Sequence, residues 1–246
     1  MTAASPFGRL YGIGLGPGDP ELLTVKAVRH LQAAPVVAYF AKAGRRGNAR
    51  GIADQWITAS SEELPLYYPV TTELPFAEPA YNAALSGFYE EAAESIAAHL
   101  LDGRDVALLC EGDPFFYGSF MHLYIRLKER FAVTVVPGVT GMSGCWTTAG
   151  APITWGDDVL TVLPGTLSAA SPTKKLSESD AAVVMKLGNN FAKVRDAIRD
   201  AGLMERAIYV ERGTMAAEIV MPLKDHTGDK APYFAMVLVP GNGRRP

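Results

Sequence analysis

The chain has 246 residues, 48% of them apolar and 20% charged, and a formal net charge of −3. That composition suits one large α/β domain or two small ones and excludes a disordered chain, and the mild negative charge argues against a surface that grips nucleic acid as a whole. No run approaches the roughly 18 to 20 consecutive apolar residues that a membrane-spanning helix needs, and residues 1–6 have neither a basic stretch nor an apolar core, so a cytoplasmic location is expected.

Leu10 to Leu15 reads as a strand, Leu22 to Ala33 as a helix and Val36 to Phe40 as a second strand, which is a βαβ beginning. Between the first two, Asp19 is placed as an N-cap and Pro20 stands at the first helical position, where a missing N–H costs nothing. Lys42, Arg45, Arg46 and Arg50 then stand among glycines. They form either a solvated surface loop or a mobile loop that meets an anionic ligand. The stretch from about Ala59 to Glu78, rich in Pro and Glu, reads as a structureless surface excursion. Asn82 to Leu101 has helical spacing, Asp105 to Cys110 reads as a short buried strand, Met121 to Arg130 as a helix, Val133 to Val136 as a strand and Thr140 to Ala149 as a small-residue helix.

Strands dominate afterwards: Val159 to Leu163, Ala181 to Leu187, Ala207 to Glu211, Glu218 to Met221 and Tyr233 to Val239, with one helix from Phe191 to Ala201. A boundary is therefore expected near Gly138 to Ala151, dividing a parallel α/β domain, residues 1–138, from a mixed-sheet α/β domain, residues 139–246. Cys110 and Cys145 lie in apolar segments and are expected to be reduced buried thiols rather than disulfide partners or metal ligands.

The run Gly12-Ile13-Gly14-Leu15-Gly16-Pro17-Gly18-Asp19-Pro20 follows a strand and opens a helix, where an open α/β sheet places its ligand crevice and where glycines let a ligand approach the backbone. It fails the dinucleotide fingerprint, because Pro17 or Asp19 stands where a third glycine should. The next strand ends in Tyr39-Phe40 without the acid that would hold a ribose, so an NAD-linked oxidoreductase is disfavoured. A second motif, Glu111-Gly112-Asp113-Pro114-Phe115-Phe116-Tyr117-Gly118, also follows a strand. Pro114 forces Asp113 into an extended or turn conformation with its carboxylate at the tip. Two glycine-acid turns at the carboxyl ends of strands in one sheet converge on a shared crevice. Val136-Pro137-Gly138, Lys186-Leu187-Gly188 and Arg212-Gly213-Thr214 each put a glycine just past a strand, and taken singly read as ordinary turns. The four histidines lack metal-ligand spacing and no G-x-S-x-G elbow occurs, so no metal is expected and a hydrolase gains little support.

Taken in order, Gly14 to Pro20 with Leu22-Leu23-Thr24 and Lys26-Ala27, then Glu111 to Pro114, then Pro137-Gly138-Val139-Thr140, resemble the tetrapyrrole methylase family over nearly the whole chain. Val36 to Phe40, Tyr67 to Thr72, Glu111 to Gly118, Val184 to Gly188 and Tyr209 to Arg212 resemble the branch that methylates C20 of precorrin-2 in cobalamin biosynthesis. The resemblance implies two α/β domains with S-adenosylmethionine in the cleft between them, and a homodimer. It places Pro17, Gly112, Asp113, Phe116, Thr140, Gly141, Leu187 and Gly213 at cofactor contacts, with Phe234, expected in the last strand, lining the same pocket. Related uroporphyrinogen methyltransferases have an aspartate after the second strand as a proposed proton acceptor. This chain has Phe40 there, so that role is not carried over.

The implied reaction transfers a methyl group to C20, followed by loss of its proton, and yields precorrin-3A and S-adenosylhomocysteine. A carboxylate-rich substrate gives Arg45, Arg46 and Arg50 a function as clamps, with Lys186 and Arg212 as further candidates. No catalytic residue is assigned; Glu111, Asp113 and Tyr117 are the nearest names for a proton acceptor, and water is the alternative. The rival readings are a C20-methyltransferase acting on cobalt-factor II, a methylase acting at another ring position, and a tetrapyrrole carrier with no need of the cofactor. An RNA-modifying methylase would call for a basic, aromatic-rich segment, and none is present.

Overall fold

The computed structural model of the protein describes residues 6–69, 79–168 and 170–243. The chain forms two compact units, Met1–Thr140 and Gly141–Pro246. In the first unit the elements run β1 (Leu10–Gly14), α1 (Val25–Ala33), β2 (Val36–Lys42), α2 (Asn48–Ile52), β3 (Glu62–Tyr68), α3 (Pro79–Leu101), β4 (Val106–Cys110), α4 (Phe120–Leu127) and β5 (Val133–Val136). The strands make one sheet in the order β3-β2-β4-β1-β5, with every pair parallel.

Parallel strands need crossovers that cover both faces, so the central strands read as unbroken apolar runs. Strand β4, Val-Ala-Leu-Leu-Cys, is buried along its whole length. Its side chains alternate: Val106, Leu108 and Cys110 pack with α3 and α4, whereas Ala107 and Leu109 pack with α1 and α2. Full burial of a leucine such as Leu108 stabilises the fold by about 1.5–3 kcal/mol.

Three expectations for this unit are corrected. The helix begins at Val25 rather than Leu22, because the Thr24 hydroxyl caps it by accepting from Ala27 N at 3.1 Å. Residues Pro20–Leu22 instead form a separate 3-10 turn, capped by Asp19 Oδ1, which accepts from Glu21 N at 2.8 Å. Part of the expected excursion is a strand: β3 pairs with β2 from Val36 opposite Glu62 to Lys42 opposite Tyr68. Its glutamates and Pro65 mask a strand that a sheet edge tolerates, since the outer side of an edge strand needs no N–H donors. The remainder of that stretch, residues 70–78, lies outside the described residues.

The second unit runs α5 (Gly141–Thr148), β6 (Leu160–Pro164), α6 (Ala170–Ser177), β7 (Ala181–Met185), α7 (Phe191–Asp200), β8 (Ile208–Glu211), β9 (Ile219–Pro222) and β10 (Ala235–Val239). The sheet order is β6-β7-β10-β8-β9, with β6 and β7 parallel and the other pairs antiparallel, a mixed sheet. One face packs on α6 and α7 through Leu176, Phe191, Val194 and Ile198, and the other on α5 through Cys145. Helix α6 adds to the single helix expected among these strands. Its Ser-Pro-Thr start hides it, although proline is tolerated in a first helical turn. Strand β7 stops at Met185 rather than Leu187, because Lys186 has φ +56° and leaves the extended region.

Candidate active site

In the first sheet the crossover from β1 leads past β4 to β2 along the α1 face, and that from β4 leads past β1 to β5 along the α4 face. Neighbouring strands whose connections leave in opposite directions open a crevice at their carboxyl ends. Both glycine-acid motifs are there and are joined through their backbones. Leu15 N donates to Cys110 O at 2.9 Å, Gly112 N to Gly16 O at 2.9 Å, and Gly16 N to Gly112 O at 3.3 Å. The last two bonds form an antiparallel bridge between loops that leave parallel strands. Gly112 sits at φ +65°, a conformation that costs a residue with a Cβ roughly 1–2 kcal/mol.

The loop after β5 closes on the same point. A Cβ at Gly138 would lie 2.1 Å from Gly112 O and 2.9 Å from Gly14 Cα, and one at Gly14 would lie 2.5 Å from Gly138 N. Three main chains therefore meet where no side chain fits. Asp113 holds the junction: its Oδ2 accepts from Gly138 N at 3.1 Å and its Oδ1 from Phe115 N at 2.9 Å. Both carboxylate oxygens have backbone partners, which makes Asp113 a clasp between two strand ends. Gly12 has a different function from the one expected. A Cβ there would lie 2.4 Å from the ring of Phe120, so it makes room for core packing and not for a ligand.

Phe116 is half-buried and edge-on to Tyr117 at 5.0 Å, with Tyr117 held at φ +56°. Pro17 is buried and Glu111 half-buried. Burial, reinforced by the nearby charges of Glu111 and Asp113, pushes the Cys110 thiol far above its ordinary value, so it is no nucleophile. Phe40, within β2, stacks on Tyr68 at 5.4 Å and approaches Phe88 and Tyr89 at 6.2 and 6.4 Å. An aromatic cluster thus occupies the place of the aspartate.

The basic segment divides. Arg45 is exposed, and Arg46 is exposed and paired with Asp54. Arg50 belongs to α2, is 7% exposed, and donates from Nη1 to Asp54 at 2.9 Å and from Nη2 to Glu63 at 2.6 Å. That burial and pairing count against a clamp role for Arg50, whose two Nη groups are engaged inside the fold although its Nε has no hydrogen-bond partner among the described residues. Tyr39 Oη donates to Glu63 at 2.8 Å; burial first, then this bond, pushes the phenol up to about 12. Arg50, and after it Tyr39, hold the Glu63 carboxyl below its ordinary value of 4.5. A carboxyl lowered by folding stabilises fully above its unfolded value, and that contribution is lost as pH falls through the folded one. Glu63→Gln is therefore expected to flatten the loss of thermal stability below pH 4.5. Melting curves from pH 6 to about pH 3 check this, and an unaltered slope contradicts it.

In the second unit β10 lies between β7 and β8, with Val237 opposite Val184 and Ala235 opposite Glu211. Its start thus lies at the edge where β7 and β8 end, and Leu187, Arg212, Gly213 and Phe234 share that edge. Phe234 precedes β10 rather than lying in it, and its carbonyl accepts from Arg212 N at 2.7 Å. Leu187 is buried. Lys186 and Arg212 both have left-handed backbones, and desolvation holds the Lys186 ammonium below the ordinary lysine range. Arg212 pairs with Glu211, which also accepts from Tyr209 Oη at 3.0 Å. A Cβ at Gly213 would lie 3.0 Å from both Cα and Sγ of Cys145, and one at Gly141 3.0 Å from Met236 Cε, so α5 seats closely against these strands.

Sequence reasoning treated Gly138 as an ordinary turn and missed the junction it makes. The available signal was a glycine past the end of each of three strands. Among the described residues, no group of three or more His, Cys, Asp or Glu is placed to hold a metal ion, and no helix is long and apolar enough to cross a membrane.

The profile of the tetrapyrrole (corrin/porphyrin) methylases matches residues 9–225. A precorrin-2 C(20)-methyltransferase from Sinorhizobium sp is 54% identical over 97% of this chain and 98% of its own. A cobalt-precorrin-2 C(20)-methyltransferase from Salmonella typhimurium is 27% identical over 94% of this chain and 96% of its own. Among solved structures, a cobalt precorrin-4 methyltransferase, a cobalamin biosynthetic enzyme, superposes with a TM-score of 0.72 at 25% identity, covering 94% of both chains.

Proposed function

The chain belongs to the tetrapyrrole (corrin/porphyrin) methylase family, and from that premise we infer that it transfers a methyl group from S-adenosylmethionine to C20 of precorrin-2, giving precorrin-3A. The observation that carries this reading is the 54% identity, over nearly the full length of both chains, with a precorrin-2 C(20)-methyltransferase. The relative named for the cobalt-bearing substrate stands at 27%, which favours the metal-free one.

The residues present fit the cofactor. At the carboxyl ends of β4 and β5 the chain leaves Gly112 and Gly138 half-buried, with half-buried Phe116 as an apolar surface, a mixture suited to a large ligand that carries both apolar and hydrogen-bonding groups. The proposed contacts are Pro17, Gly112, Asp113, Phe116 and Thr140 in the first unit and Gly141, Leu187, Gly213 and Phe234 in the second. When bound, S-adenosylmethionine supplies a methyl group already activated on a sulfonium. No covalent nucleophile is then needed from the protein, whose work is to align an electron-rich carbon and exclude water. Asp113, with both oxygens engaged by backbone N–H groups, serves the shape of the loop. The proton leaving C20 is assigned to water, because β2 carries Phe40 where the related uroporphyrinogen methyltransferases have their aspartate.

Arg45 and Arg46, with Lys186 and Arg212, are proposed to meet the carboxylate arms of the substrate. The double variant Arg45→Ala, Arg46→Ala is expected to raise KM for the tetrapyrrole about tenfold, and more at low salt, with Kd for S-adenosylhomocysteine unchanged. An unchanged KM refutes the clamp. A cytoplasmic homodimer completes the proposal; the free thiols of Cys110 and Cys145 suit a reducing compartment.

The test is calorimetric titration with S-adenosylhomocysteine, followed by anaerobic incubation with labelled S-adenosylmethionine and either precorrin-2 or its cobalt form. Binding and a single methyl at C20 of precorrin-2 support the reading. Preference for the cobalt form refutes the substrate, and absence of binding refutes the cofactor.

A further inference from the structure

Ser119 stands at the N-cap of α4, where a serine hydroxyl ordinarily accepts from the free N–H groups of the first turn. Here it makes no such bond. Its Oγ accepts instead from two phenols, Tyr68 Oη at 2.5 Å and Tyr89 Oη at 3.2 Å. Tyr68 is the last residue of β3, and Tyr89 belongs to α3 and is 5% exposed. A helix start that gives up its own cap to take two long-range donors is being held in place from outside the helix.

The geometry shows what is held. Strands β3 and β4 are not neighbours, because β2 lies between them. The bond from Tyr68 to Ser119 therefore passes over the end of β2, where the ring of Phe40 lies stacked against Tyr68, with 21° between the planes. From the other side Tyr89 stacks on His122, one turn into α4, at 4.3 Å and 18°. Arg126 of α4, and Arg130 in the turn that follows it, pair with Glu90 and Glu94 of α3. All of this fixes the end of the segment that began at Glu111. Between its ends the segment is wound tightly: Phe116 N donates to Asp113 O at 3.2 Å, and a Cβ on Gly118 would lie 3.1 Å from Pro114 O. Asp113 anchors one end to the strand edge and Ser119 anchors the other to β3 and α3.

We propose that Ser119, through its two phenol donors, is a positioning residue for methyl-donor binding: it sets where the backbone of Gly112, Asp113 and Phe116 stands at the sheet edge. This rests on the reading that S-adenosylmethionine binds that loop. Removal of the hydroxyl leaves the buried Tyr89 phenol without its acceptor and frees the end of the loop, so the loop must be ordered at the moment of binding. The effect belongs to cofactor affinity.

The test compares Ser119→Ala, Ser119→Thr and Tyr68→Phe with the unaltered protein, by titration with S-adenosylhomocysteine, steady-state kinetics in both substrates and thermal melting. Ser119→Ala and Tyr68→Phe are expected to raise Kd for S-adenosylhomocysteine about tenfold, and Ser119→Thr, which keeps the hydroxyl, by less than about threefold. KM for S-adenosylmethionine should follow, whereas KM for the tetrapyrrole stays within about twofold. Unaltered Kd in Ser119→Ala overturns the proposal, as does a loss confined to Vmax that tracks the folded fraction while both KM values stay unaltered. If Ser119→Ala does not fold, Tyr68→Phe, which keeps the ring, decides by the same readouts. Failure of the unaltered protein to bind S-adenosylhomocysteine refutes the cofactor reading itself and with it the role of Ser119.

Discussion

Gly138→Ala is expected to lower stability by about 2–3 kcal/mol and to abolish measurable binding of S-adenosylhomocysteine. The added methyl would be placed 2.1 Å from Gly112 O and 2.9 Å from Gly14 Cα, and neither atom is the movable tip of a side chain. The three strand ends would have to separate, and the parallel pairing of β1 with β4 and β5 opposes that. In a protein of this size the melting temperature should fall by roughly 5–10 °C. Gly87→Ala is the control. Gly87 lies exposed in α3, nothing stands within 4 Å of its added Cβ, and the same change there should stabilise the helix by about 0.5–1 kcal/mol. Equal behaviour of the two variants in melting and titration would refute the close junction.

Asp113→Ala should raise Kd for S-adenosylhomocysteine about a hundredfold and lower stability by about 2 kcal/mol, because two backbone donors lose a charged acceptor. Asp113→Asn should fall between, since its amide offers one oxygen where Gly138 N and Phe115 N need two. The loss is expected in binding. An Asp113→Asn enzyme with unaltered affinity and no turnover would instead assign this carboxylate to the departing proton.

Much of this was legible in the residues, for identifiable reasons. Strand β4 is a pure apolar run and β5 is closed by Pro137, so strand assignment there needed only periodicity and punctuation. The two glycine-acid loops were legible as a pair, because each follows a strand of one parallel sheet. What stayed hidden is what depends on tertiary neighbours. The β3 sequence, Glu-Glu-Leu-Pro-Leu-Tyr-Tyr, has poor strand propensity and takes its conformation from pairing with β2. Arg50 looks like its neighbours in a basic loop, yet it lies in α2 and Glu63, from β3, turns it into a buried tie. Nor does Ser119 differ from any capping serine until Tyr68 and Tyr89 are seen to reach it. In each case local chemistry proposed one partner and the fold supplied another.

The place of β1 has a consequence for how the chain matures. Its neighbours in the sheet are β4 and β5, both made later, and a bond such as that from Arg9 N to Asp105 Oδ1 at 2.7 Å spans 96 residues. Closing so long a stretch is slow, and β1 must wait, solvated, until β4 and β5 have been made. The junction of Gly14, Gly112 and Gly138 can form only when all three strand ends have arrived. A nascent chain therefore lacks the proposed methyl-donor site until its first unit is whole, and in a refolding reaction the return of S-adenosylhomocysteine binding should trail the recovery of helical signal, marking the last parallel pairings to be made.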